Sequence, residues 1–245
     1  MGILSQSFTD RLQEIEEYLI FLSAVEDEMK SGTPKIGLQT ITVTQQKILL
    51  SSVYLQLYNL VEATVSKCVD TVCAAVTQAK CHPSDLTIEL RKEWVRYHGK
   101  THCDLNCENR LNQSLELCKH LIEALPVDDF QINIGGGGNW NDEEIYDLSK
   151  RLGCDLNISA EINKKVKQPM FDGEGAMVKI MKLRNKLAHG NISFGECGEN
   201  ITVNDLRDLK DRTAEYLAVV VFSFESYVDS YEFLKLDSRP KEMIP

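Results

Sequence analysis

Residues 44–80 read TQQKILLSSVYLQLYNLVEATVSKCVDTVCAAVTQAK, a stretch with neither glycine nor proline. Within it Leu50, Tyr54, Leu57, Val61, Val65, Val69, Val72 and Val76 recur at spacings of three and four. That period lines up one apolar face of a single long helix. Cys81 and His82 followed by Pro83 end it, because proline lacks the amide hydrogen and restrains the residue before it. A helix long enough to span a domain, with its apolar stripe unbroken, predicts an all-α fold.

The flanking text has the same period. Leu12, Ile15, Leu19 and Leu22 mark a helix over about 9–29, with Thr9 as the expected N-cap. SGTPKIGLQT, with Gly32, Pro34 and Gly37, breaks the pattern. Ser84 is expected to cap a helix to about Tyr97, and another is expected from about Asn106 to Leu125. Phe130 to Ile134 alternates as a short strand would, and Gly135 to Gly138 follow. A short helix over 142–152 precedes a polar stretch reaching Pro169. Two helices close the chain. One runs over about 174–189 and stops at Gly190, and the other runs over about 203–236 behind the capping-box text Thr202-Val203-Asn204-Asp205. The expectation is one domain over 1–245: a helical bundle with an irregular insertion at about 126–172 and a tail at 237–245.

The chain has 245 residues, 43% of them apolar and 26% charged, which is ordinary globular usage and argues against disorder. Its net charge of −10 excludes nucleic-acid binding through the whole surface and requires any such site to be a local basic patch. The longest unbroken apolar run, Tyr216 to Phe222, falls far short of the roughly 20 residues of a membrane span. MGILSQSFTD has neither the basic start nor the apolar stretch of a signal peptide, so a cytoplasmic setting is expected. The eight cysteines then read as reduced thiols.

Three chemistries fail on spacing. GGGGNWNDEE lacks the Lys-Ser or Lys-Thr that a phosphate loop needs, and reads as a loop feeding a helix cap at Asn139 or Asn141. His98, His102, Cys103 and Cys107, with Cys81 and His82 nearby, are the right residue types for zinc. His102 and Cys103 are adjacent, however, whereas structural sites separate their ligand pairs, so no metal is assigned. No Gly-x-Ser-x-Gly elbow occurs.

Arg184-Asn185-Lys186-Leu187-Ala188-His189 is different. An Arg followed at this loose distance by His is expected roughly 0.5 times by chance in such a composition, and Arg91 to His98 and Arg96 to His102 also match. Context separates the third instance: Asn follows its Arg, Gly follows its His, and it ends the penultimate helix. At 100° per residue from Ile180, Ala176, Leu183 and Leu187 lie within about 60°, whereas Asn185 and His189 fall at about 140° and 180°. Arg184 sits on the flank, where its stem can lie on apolar surface and its head reach out. From 163 to 189 there are seven basic residues against two acidic, a local balance of +5.

This segment resembles the signature of the HEPN superfamily, whose nucleases carry Arg and His near a helix end. NISFGECGENITVNDLRDLK, YLQLYNLVEATV and GNWNDEEIYDLSKRLG resemble a bacterial toxin-like HEPN subgroup. The resemblance implies a metal-independent endoribonuclease without cofactor, in which the RNA's own 2′-OH attacks to leave a 2′,3′-cyclic phosphate. It assigns proton transfer to His189, phosphate stabilisation to Arg184 and orientation to Asn185, with Glu62 as a buried partner of Arg184. Lys179, Lys182 and Lys186 are the expected RNA contacts. The implied setting is toxin–antitoxin or phage defence, with RNA and a cognate antitoxin protein as partners. The implied working unit is a homodimer whose apolar border at Met177, Met181 and Ala188 seeks a second copy. A non-catalytic HEPN module that binds RNA or a partner protein is the alternative, and a helical zinc protein built on residues 98–107 is a third.

Overall fold

The computed structural model describes residues 2–101, 103–135, 139–170 and 173–240. These form an all-α protein with helices α1 (Ile3–Ser31), α2 (Val43–Ala79), α3 (Ile88–His98), α4 (Cys107–Ile122), α5 (Asp142–Leu152), α6 (Ala160–Lys167), α7 (Ala176–Ala188), α8 (Phe194–Cys197) and α9 (Val203–Asp229). A two-stranded antiparallel hairpin, β1 (Lys35–Ile36) and β2 (Gln39–Thr40), occupies the Gly- and Pro-punctuated stretch.

The chain divides into two compact units. The first comprises residues 1–64, 139–144 and 158–220, and the second 65–138, 145–157 and 221–245, so α2, α5 and α9 each contribute to both. In the first unit Val53, Tyr54, Leu57, Leu60 and Val61 of α2 are buried with Leu19 and Leu22 of α1, Ile180 of α7 and Leu206, Leu209 and Leu217 of α9. Glu16 of α1 accepts from Arg207 and Lys210 of α9, at 2.5 Å each, which ties these two helices in register. In the second unit Val65, Val69, Val72 and Val76 continue the α2 stripe, buried with Leu90 and Trp94 of α3, Leu148 and Leu152 of α5 and Phe224 and Tyr227 of α9. By length and composition α2 is apolar enough to cross a membrane, but this stripe is core.

The caps explain the element boundaries. Thr42 and Gln45 start α2 with reciprocal bonds, Thr42 N–H to the Gln45 side chain at 2.8 Å and Gln45 N–H to Thr42 Oγ1 at 3.2 Å. Thr202 and Asp205 do the same for α9. Three expectations are corrected. Thr9 does not cap α1, which begins at Ile3 because Leu4 and Phe8 extend its buried face; the Thr9 hydroxyl instead donates to Ser5 C=O, 2.8 Å away. Ser84 does not cap α3. It sits in a turn against His82, and Thr87 is the N-cap. Residues 130–134 form no strand, although Phe130 and Ile132 are buried as their alternation suggests. The polar stretch before Pro169 contains α6, capped by Ser159. All eight cysteines are unpaired, with Cys68, Cys154 and Cys197 buried.

Candidate functional site

The Arg–His segment lies in the first unit, on α7. Ala176, Ile180 and Leu187 of the stripe read from the sequence are buried, while its fourth member, Leu183, is half-buried. Met177 is also buried, which removes it from the apolar border expected to face a second copy; Met181 is half-buried and Ala188 exposed. His189 is the C-cap residue, with φ −92° and ψ 2°. Gly190 follows at φ +70°, a left-handed conformation that glycine adopts without strain. Gly190 N–H bonds to Leu187 C=O at 3.2 Å and Asn191 N–H to Lys186 C=O at 2.8 Å. This Schellman arrangement stops the helix directly behind His189 and leaves its imidazole exposed. Among the described residues that imidazole makes no side-chain hydrogen bond.

Arg184 is held from several sides. Its guanidinium carbon stands 4.2 Å from the centroid of the Tyr58 ring, a cation–π contact. Nη1 donates to Asn185 Oδ1 at 2.8 Å, and Nη2 lies 3.7 Å from Glu62 Oε2. Glu62 is therefore a partner of Arg184, but with 43% of its side chain exposed it is not the buried one expected. The Arg184 side chain itself keeps 26% exposure, enough to present N–H groups to an oxyanion.

The residues that sequence reasoning missed come from the end of the glycine run. Asn139 Oδ1 accepts from Asn185 Nδ2 at 2.8 Å. Trp140 N–H donates to Tyr58 Oη at 3.2 Å. Asn141 caps α5, accepting from Glu143 N–H at 2.9 Å and Glu144 N–H at 3.0 Å, and its amide lies 3.9 Å from Met181 Sδ. Three consecutive residues thus fix the Asn185 amide, the Tyr58 platform and the start of α5. Burial raises the Tyr58 pKa, opposed by the Trp140 N–H and the Arg184 charge, so the phenol stays protonated at neutral pH. Tyr58 carries no local motif; only its place one turn before Glu62 on α2 hints at it.

The basic patch is thinner than its local count. Lys182 pairs with Glu174, Lys165 with Glu215, and Lys167 lies 3.7 Å from Asp142. Lys186 is exposed and forms no ion pair among the described residues. Lys179 is half-buried beside the Glu196 and Cys197 cleft. Burial raises the Cys197 pKa, and the charges of Lys179 and Lys186 oppose that rise.

Among the described residues no three His, Cys, Asp or Glu side chains converge on a metal position. His98 packs instead against Trp94 and His120, with ring centroids 5.0 and 5.6 Å away, while Cys103 and Cys107 are exposed. His102 lies outside the described residues.

This all-α architecture is that of the HEPN class of helical proteins. A family model described as MAE_28990-like HEPN matches residues 3–233, and the chain belongs to that family. No curated protein and no solved structure matches it.

Proposed function

We propose that the chain is an endoribonuclease that uses Arg184 and His189. The observation carrying this reading is the posture of Arg184. It is clamped on Tyr58 by Asn185 and Glu62, yet it is open to solvent on the helix whose C-cap is the exposed His189. A guanidinium fixed in advance stabilises the negative charge that builds on a phosphate in the transition state. Imidazole as a side-chain type can both accept and donate a proton under physiological conditions, which suits it to proton transfer. RNA supplies the nucleophile. The 2′-oxygen bonds to phosphorus, its proton passes to His189, the bond to the 5′-oxygen breaks, and that oxygen takes up a proton from water or from the partner's His189. The products are a 2′,3′-cyclic phosphate and a 5′-hydroxyl, and no divalent cation is required. Asn185, tied to both Arg184 and Asn139, positions the guanidinium. Lys186 and Lys182 are the outer contacts to the RNA backbone.

The finer reading is a toxin-like HEPN nuclease of a toxin–antitoxin or phage-defence system. It acts in the cytoplasm as a homodimer and is neutralised by a cognate protein. Its support is the likeness of YLQLYNLVEATV and NISFGECGENITVNDLRDLK to that subgroup. Incubating purified protein with total RNA in EDTA tests the chemistry. Cleavage that leaves cyclic phosphates, spares DNA of the same sequence and disappears in Arg184→Ala and His189→Ala is expected. RNA bound but uncut by folded protein would favour the non-catalytic module, and activity abolished by EDTA would refute the mechanism.

A further inference from the structure

The second unit contains an open cleft of about 360 Å³ that the nuclease reading does not use. Its wall is built on Glu93 of α3, whose carboxylate is 1% exposed. Arg151 of α5 grips that carboxylate with two bonds, Nε to Oε1 at 2.8 Å and Nη2 to Oε2 at 2.7 Å, and Nη2 also donates to Asn133 C=O at 2.6 Å. Arg96, one turn along α3, donates to the same Glu93 through Nη1. One bidentate arginine already satisfies a buried carboxylate. The second is a surplus cation, 49% exposed on the cleft wall. Arg151 Nη1 and Arg96 Nε and Nη2 form no hydrogen bond among the described residues. The wall therefore carries a net charge of +1 in a chain of −10, with two guanidinium groups aligned by one carboxylate between them.

The rest of the lining is polar. Gln131 and Asn133 are exposed at the rim, and Tyr97 is fixed through its hydroxyl to Asp129 at 2.7 Å. Asn133 Oδ1 holds Gly135 N–H at 2.8 Å, so the Asn133 amide N–H groups are left for a guest. The surplus positive charge attracts a dianion more strongly than the single charge of a phosphodiester, and a phosphate monoester carries close to two negative charges at neutral pH. The volume lies at the lower end for small-molecule sites, larger than inorganic phosphate alone requires. The amide rim offers both donors and acceptors for the remainder of such an ester.

We infer that the Glu93–Arg96–Arg151 cleft binds a terminal phosphate monoester, carried either by a free small molecule or by the end of an RNA chain. Calorimetric titration of the full-length protein with AMP and with adenosine tests this. AMP should bind saturably, and adenosine at least about tenfold more weakly. Arg96→Ala should weaken AMP binding about tenfold with the fold retained. Gln131→Glu, which places a carboxylate on the rim without touching the ion pairs, should weaken it similarly, and it serves if Arg96→Ala does not fold. Arg184→Ala should leave AMP binding unchanged. In a His189→Ala background, tighter binding of 5′-phosphorylated than of 5′-hydroxyl RNA assigns the phosphate to an RNA end. Equal binding of the two RNAs, with AMP binding retained, assigns it to a free ester. Absence of AMP binding, or AMP binding unaffected by both rim variants, would overturn the inference.

Discussion

Tyr58 offers the sharpest test of how the site is held, because its hydroxyl and its ring have separable roles. Tyr58→Phe removes only the acceptor of Trp140 N–H. Trp140 is half-buried, so water replaces the lost partner in part and the cost is about 1 kcal/mol. In a chain of this size that lowers the melting temperature by about 2–4 °C. The ring and its contact with Arg184 persist. With its phenol protonated at neutral pH, Tyr58 has no proton-transfer duty to lose. RNA cleavage should therefore stay within about threefold of wild type. Tyr58→Leu also removes the platform. The cation–π contact contributes about 1–2 kcal/mol, and the void left in a core site that is only 2% exposed adds about 2 more. Stability should fall by roughly 3 kcal/mol or more, and the guanidinium regains several rotamers. Loss of that orientation should cut cleavage about 10²-fold. Urea denaturation and initial rates, measured where both variants are folded, give the two numbers. Equal loss of activity in the Phe and Leu variants, or an active Leu variant, would refute the platform argument.

Other outcomes follow from the same geometry. If Arg184 of one protomer works with His189 of its partner, mixing inactive Arg184→Ala and His189→Ala proteins should restore cleavage; fully exchanged yet inactive mixtures would exclude cross-chain pairing. Gly190→Ala meets no atom within 4 Å of the new Cβ, so it should cost only the left-handed backbone strain, about 1–2 kcal/mol, read as a fall in melting temperature. Burial, and then the neighbouring His120, lower the His98 pKa below its ordinary 6.5. The folded state thus disfavours the charged ring, and stability that is full above about pH 6.5 should be lost as pH falls through that value. Denaturation midpoints at pH 7.5 and 5.5 should differ less in His98→Phe than in wild type.

The sequence showed the helices through periodicity and hid what periodicity cannot encode. The α2 stripe and the Thr202–Asp205 cap were readable because each is local, set by spacing along one segment. Thr9 misled because a threonine is equally at home bonding a carbonyl four residues back, and α6 was masked by its many lysines. The helical wheel gave the direction of His189 but could not reveal the Tyr58 ring beneath Arg184, which comes from a segment more than a hundred positions away. Local charge counting failed for the same reason. Glu215 and Asp142 reach the lysines of α6 from outside the window counted.

The three residues Asn139, Trp140 and Asn141 act together as a latch. One side chain secures α7, one backbone amide secures α2, and the next side chain begins α5. Anything that displaces the start of α5 is transmitted to the posture of Arg184 without touching the arginine or the histidine. The proposed Arg–His pair can thus be complete in the text of a related chain while the latch is missing. A survey that scores only Arg and His would not separate such a chain from one in which Asn185 and Tyr58, the holders of the guanidinium, are themselves anchored.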